Sequence, residues 1–234
     1  MKYEKVREAI FLERPNRFIA FCEIEGKREK VHVKNTGRCK ELLVPGAKVY
    51  LEESMNPQRK TKYTLIAVQK GRRLINMDSQ APNQVVYEAL NAGRVYLPDL
   101  EKILKVIKRE KVYGTSRFDF YLETQSEKAF IEVKGVTLEE ENHVLFPDAP
   151  TERGVKHIRE LMDAYRVGYK CYILFVIQMS EVAYFTPHTA RHPEFAACLK
   201  EAEALGVKIL AYDCKVEPTS LSLGKPIKVI LDDV

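Results

Sequence analysis

A chain of 234 residues, 45% hydrophobic and 30% charged, has the makeup of a globular protein of one or two domains, neither disordered nor membrane-embedded. Its longest nearly apolar run, residues 171–179, is nine residues, and a bilayer-spanning helix needs about 20. The net charge of +5 is uneven: residues 1–78 hold 18 Lys and Arg against 10 Asp and Glu, whereas 79–234 hold 20 against 23. A basic front half of this kind offers a surface to a polyanion, or simply carries solubilising lysines. The charged start lacks an apolar h-region, so no secretory leader is expected. Five scattered cysteines, without C-x-x-C or zinc-finger spacing, read as reduced core thiols of a cytoplasmic protein with no structural zinc.

Residues 1–78 read as short strands separated by turns. Residues 17–24 (RFIAFCEI) and 30–34 (KVHVK) flank the turn pair Glu25-Gly26, and 48–51 (KVYL) follows Pro45-Gly46. Residues 63–69 and 74–77 continue the series. Five or so strands in this length predict a small barrel of the OB type, a fold that often binds nucleic acid through a basic, aromatic-bearing face.

From residue 79 the texture changes. Residues 82–92 carry a helical stripe of Val85, Val86, Ala89 and Leu90, with Gly93 after it. Strand-like runs follow at 103–109, 117–123 and 129–135. Residues 151–167 predict a strong helix, with Thr151 as N-cap, Glu152 in the first turn and a buried stripe of Ile158, Leu161, Met162 and Tyr165. A strand buried on both faces (171–179), a helix opened by Pro193 (193–205) and a further strand (207–212) complete the order. The pattern implies a mixed α/β domain, a sheet flanked by helices.

Two neighbouring strands hold charges where a half-buried sheet is expected to be apolar. By alternation, Phe118 and Phe120 share one face of the first, while Arg117, Asp119 and Tyr121 share the other. In the second, Ile131 and Val133 face one way, Glu132 and Lys134 the other. The short polar link TQSE predicts an antiparallel hairpin. Residues two apart on a strand lie about 6.6 Å apart and paired strands about 4.8 Å apart, so Asp119, Glu132 and Lys134 converge in one small site. Two carboxylates suit a hard divalent ion such as Mg²⁺ or Mn²⁺, and a lysine beside them suits a water or a phosphoryl transition state. Taken alone, the same spacing describes an ordinary surface cluster. Arg153 and His157, four apart on the strong helix, flank its apolar stripe and are suited to phosphate, or are solvated. Glu88, on the helix before the strands, offers a third carboxylate or is a solvated surface residue.

Several segments resemble one family over nearly the whole chain. They are VKNTG (33–37) with LLVPG (42–46), SRFDF (116–120), IEVK (131–134) with VTL (136–138), and above all FPDAPTERG (146–154) continued by Lys156-His157 and RELM (159–162). These resemble the sugar fermentation stimulation protein family. The resemblance implies an OB-like domain over 1–78 and a domain similar to PD-(D/E)xK nucleases over 79–234. It also implies non-specific DNA binding and a regulatory link to sugar (maltose) metabolism. Residue by residue, it places the metal-binding acids on Asp119 and Glu132, the lysine on Lys134 and the helix acid on Glu88. Arg153 and His157 match its helix motif and join Arg117 as expected phosphate-binding residues. Gly135 stands where many members have Ser and Pro150 where Val is expected; neither removes a catalytic group.

Two functions compete on this reading: a Mg²⁺- or Mn²⁺-dependent phosphodiesterase cleaving DNA, and a DNA-binding regulator whose nuclease-like site does not turn over. A sugar-binding regulator is disfavoured, because no aromatic and acidic cluster forms a sugar pocket and the chain lacks Trp. DNA is the expected partner and a membrane is not. The sequence leaves open whether the chain is a homodimer.

Overall fold

The computed structural model describes residues 1–35 and 37–232. Six strands come first: β1 (Val6–Asn16), β2 (Ile19–Ile24), β3 (Lys27–Val33), β4 (Lys48–Glu53), β5 (Tyr63–Lys70) and β6 (Arg73–Asn76). They pair in the order β3-β2-β1-β4-β5-β6, and a parallel β3–β5 ladder from Val31↔Tyr63 to Val33↔Leu65 closes the first five into a barrel. Closure removes the open edges on which another chain could pair. Between β2 and β3, Glu25 (φ 51°) and Gly26 (φ 77°) are both left-handed, the tight-turn geometry that matches strand twist. The barrel starts earlier than expected. In β1 only Ala9 and Phe11 are buried, charged residues (Arg7, Glu8, Glu13, Arg14) are interspersed with partly exposed apolar ones, and a bulge lies between Phe11 and Glu13. Such a strand has no clean alternation to read.

Helix α1 (Ala81–Asn91) leads into the second domain. Its main sheet has the order β15-β14-β12-β9-β8-β7, built from β7 (Val106–Tyr113), β8 (Ser116–Glu123), β9 (Lys128–Val136), β12 (Lys170–Ile177), β14 (Lys208–Glu217) and β15 (Ser220–Pro226). The central strands β9, β12 and β14 are parallel, and the outer ones antiparallel. A small second sheet of β10 (Leu138–Glu140), β11 (His143–Phe146), β13 (Tyr184–Pro187) and β16 (Lys228–Val229) was not foreseen, its strands being two to four residues long.

Helices α2 (Glu152–Arg166) and α3 (Pro193–Leu205) cover one face of the main sheet and α1 the other. Phe118, Phe130, Ile173 and Phe175 pack with Ile158, Leu161 and Phe195 on the first face; Phe120, Ile131, Val133 and Leu174 pack with Val85, Val86 and Ala89 on the second. Strand β12, between the two layers, is buried at every position from 171 to 177, as a doubly covered strand requires. The domain is thus mixed α/β. Helix α2 begins as its sequence predicts, with the Thr151 side chain accepting the Gly154 N–H at 3.1 Å. Strand β7 extends to Tyr113, past the predicted end at 109, because an exposed edge strand tolerates the run Lys108-Arg109-Glu110-Lys111. All five cysteines are buried free thiols, and among the described residues no helix is long and apolar enough to cross a membrane.

Buried and half-buried polar contacts join the barrel to the second domain. Glu139 of β10 receives Lys70 Nζ at 2.7 Å and Arg73 Nη1 at 2.9 Å. Gln178 Nε2 donates to Asn76 Oδ1 and to the Asp78 carbonyl, at 2.8 and 3.0 Å. Lys34 Nζ lies 2.6 Å from Asp78 Oδ2, just ahead of α1.

Candidate metal and phosphate site

The site forms where β8 parts from β9. The two strands pair from Glu123↔Lys128 to Phe120↔Ile131 and no further. At the next position the Asp119 side chain takes over from the ladder, its Oδ2 accepting the Val133 N–H at 2.8 Å. The chain turns about this point, so Phe118 packs on the α2 side and Phe120 on the α1 side. This corrects the expectation that the two rings share a face: simple alternation fails where a side chain replaces a backbone partner. Asp119 Oδ1 accepts Asn83 Nδ2 of α1 at 2.7 Å. Burial, then the neighbouring Glu132 carboxylate, pushes the Asp119 carboxyl up to about 6.

Glu132 is 3% exposed on β9. Its Oε1 accepts two donors, Lys134 Nζ at 2.6 Å and His157 Nδ1. Burial pushes the Glu132 carboxyl up, but the His157 hydrogen bond and the Lys134 ammonium outweigh it and hold the group below its ordinary value. Among the described residues its Oε2 is buried with no hydrogen-bond partner. His157 is itself buried, where the sequence placed it beside the apolar stripe; the bond to Glu132 satisfies a polar ring that burial would otherwise penalise. Arg153 Nε donates to His157 Nε2 at 3.3 Å, so the ring proton sits on Nδ1 and points at Glu132.

Above His157 opens a cleft of about 360 Å³ lined by Thr115, Arg117, Arg153 and Lys156. Arg153 and Lys156 are exposed there. Arg117 lines the same cleft and is paired with Glu110 Oε2 at 3.1 Å, both side chains being more than half exposed. The structure therefore brings Asp119, Glu132 and Lys134 together, with Arg153 and His157 adjoining and Arg117 on the rim.

Glu88 goes elsewhere. Its Oε2 takes the Met1 ammonium at 2.6 Å and its Oε1 takes Gln84 Nε2 at 2.9 Å, so α1 presents Asn83, an amide in place of the expected acid, to Asp119. Asn83 and Lys156 were not singled out from the sequence. Lys156 had a signal, lying between Arg153 and His157 on α2; Asn83 had none.

A second group, Glu152, His192 and Glu194, places three potential ligand atoms within 4.8 Å of one another where α2 and α3 begin. His192 Nδ1 accepts the Thr151 N–H at 3.3 Å, and Glu194 is paired with Arg159 at 2.7 Å. With Nδ1 taken by that N–H, Nε2 faces Glu152 Oε1 at 3.7 Å, so a metal here would have to displace the ring proton.

The family whose model is described as the sugar fermentation stimulation protein RE domain matches residues 80–220, and its N-terminal OB domain matches residues 12–77. The chain belongs to the sugar fermentation stimulation protein family. A sugar fermentation stimulation protein homolog of Ruminiclostridium cellulolyticum is 55% identical, covering 99% of this chain and all of its own length. One from Desulfitobacterium hafniense (strain DSM 10664 / DCB-2) is 56% identical over 99% of both chains. Among solved structures, "The structure of Pyrococcus Furiosus SfsA in complex with Ca2+" superposes with a TM-score of 0.87 at 29% identity, covering 98% of each chain. The barrel and the helix-flanked sheet are thus the architecture of this family.

Proposed function

We propose that this protein binds DNA and that its second domain hydrolyses phosphodiester bonds with a divalent ion held by Asp119 and Glu132. The observation that carries this reading is the bare Oε2 of Glu132. A buried carboxylate oxygen without a donor is costly, and here it lies beside a second, half-buried carboxylate whose proton is held unusually tightly. A cation resolves both. The donors are oxygens only, which fits a hard ion such as Mg²⁺ or Mn²⁺. The solved Pyrococcus furiosus relative is a complex with Ca²⁺, another hard cation, which supports the same donor chemistry.

When bound, the ion would neutralise charge on the scissile phosphate and acidify an attacking water. The chain's own residues do the rest. Asn83 and the Val133 N–H fix Asp119, while His157 and Lys134 fix Oε1 of Glu132 and leave Oε2 free. Lys134, with a side chain 14% exposed, reaches the water side of the site and orients the nucleophile. Arg153, Lys156 and Arg117 hold the flanking phosphates.

Plasmid and single-stranded DNA incubated with Mn²⁺ or Mg²⁺ test the proposal beside Lys134→Ala. Metal-dependent cleavage that drops at least a hundredfold in the variant is expected; identical traces for both proteins would overturn hydrolysis. DNA that is bound but left intact would favour the second reading, a binding protein acting in the regulation of sugar metabolism. The basic barrel supports that reading.

A further inference from the structure

The barrel carries a groove that neither the fold nor the metal site explains. It has a volume of about 480 Å³ and lies between the β1–β2 turn and the segment 37–45. Its apolar surface comes from Leu43, Val44 and Pro45, and its rim from Arg14, Arg17, Arg38 and Lys40. Among the described residues, none of these four cations has a carboxylate within ion-pair distance. Glu13, the acid of the groove, is engaged by Arg28.

Arg14 builds the groove. Its Nη1 donates to the carbonyls of Gly37 and Arg38, both at 2.9 Å, and its Nη2 to those of Arg17 and Asn35, at 2.8 and 2.7 Å. One guanidinium thereby pins both walls while its positive charge stays unneutralised. The turn that follows is equally fixed: Asn16 Oδ1 accepts the N–H groups of Phe18 and Ile19, at 2.9 and 3.1 Å. Phe18, which stands beside the groove next to Arg17 and is not part of its lining, is nevertheless 49% exposed, and Val44, on its floor, 47%. The Arg17 guanidinium lies 5.4 Å from the Phe18 ring centre, and that of Arg28 lies 4.3 Å from the ring of Phe21, three residues on.

We infer that this groove holds an unpaired nucleic-acid strand, its phosphates on the Arg and Lys rim and a base against Phe18. This rests on the reading of the chain as a DNA-binding protein and goes beyond it by naming the strand form. A patch made for duplex phosphates needs cations alone, because paired bases hide their faces. A rigid, exposed aromatic beside a guanidinium and an apolar floor gains contacts only from unstacked bases. The groove wall is also tied to the second domain. The Arg38 N–H donates to Asp148 Oδ2 at 3.0 Å, and Asp148 lies five residues before Arg153 on the approach to α2.

The test is fluorescence anisotropy of the full chain in EDTA with two probes, a labelled oligo-dT and a labelled hairpin duplex of equal length. The unpaired probe should bind at least tenfold more tightly. Phe18→Ala should weaken it about tenfold and change duplex binding less than twofold, while Phe18→Trp should restore it. Phe18 is exposed, so thermal melts should coincide for all three proteins. Equal affinity for the two probes, or no effect of Phe18→Ala on the unpaired one, would overturn the inference while leaving DNA binding intact. Failure of both probes to bind would overturn the DNA-binding reading as well.

Discussion

Arg153 Nε donates to His157 Nε2 and His157 Nδ1 is bonded to Glu132 Oε1, two contacts that call for the same ring tautomer. Two hydrogen bonds thereby link an exposed cation on α2 to a buried carboxylate on β9, two strands inward from the sheet edge.

If His157 is a fixed donor, removing it leaves Glu132 buried with Lys134 as its remaining partner. His157→Ala should cost about 2–3 kcal/mol in metal-free protein, read from urea unfolding. His157→Asn, whose amide reaches toward the same place as Nδ1, should recover part of the loss. Equal stability of the wild type and His157→Ala would show that Glu132 does not depend on this bond.

Metal binding should appear as stability before any chemistry is measured. An ion that binds only the folded state at a hundred times its dissociation constant adds about 2.7 kcal/mol. Mn²⁺ should therefore raise the melting temperature of the wild type, and this rise should vanish in Asp119→Asn and Glu132→Gln. A rise that survives in both variants would place the ion elsewhere, with the Glu152, His192 and Glu194 group the next to mutate.

The junction between the domains should be acid-sensitive. Burial pushes the Glu139 carboxyl up, but the hydrogen bond from Lys70 and the charges of Lys70 and Arg73 outweigh it and hold the group below its ordinary 4.5. A depressed carboxyl contributes stability above its unfolded pKa and loses it as pH falls through its folded one. The loss should therefore set in below about pH 4.5 and be absent from Glu139→Gln. At neutral pH, Glu139→Ala should cost about 3 kcal/mol, since it strands two cations at a mostly buried site.

Phosphate contacts at the barrel rim should show in the salt dependence of DNA binding. Replacing Arg38 and Lys40 with Ala should flatten the slope of log affinity against log salt by about 2, one for each lost contact. A slope unchanged in the double variant would exclude both residues from the interface.

The three helices were legible because each shows a 3.6-residue stripe with a marked start or stop: Thr151, Pro193, and the glycines at 93, 168 and 206. The barrel was legible from its turns except for β1, whose outward charges mask two buried residues. The proximity of Asp119, Glu132 and Lys134 followed from strand spacing. The detail did not, because Asp119 reaches its place by breaking the alternation that located it. Glu88 and His157 show the same limit in opposite directions. A tertiary partner 87 residues away draws Glu88 off the site, and one 25 residues away draws His157 into it; periodicity within a helix carries no trace of either.

The barrel also holds both helices at their roots. Lys34 is bonded to Asp78 just before α1, which carries Asn83, and the backbone of Arg38 is bonded to Asp148 just before α2, which carries His157. A ligand tugging on this part of the barrel would strain two tethers at once. The separate domains would then behave as handle and jaw of a single tool.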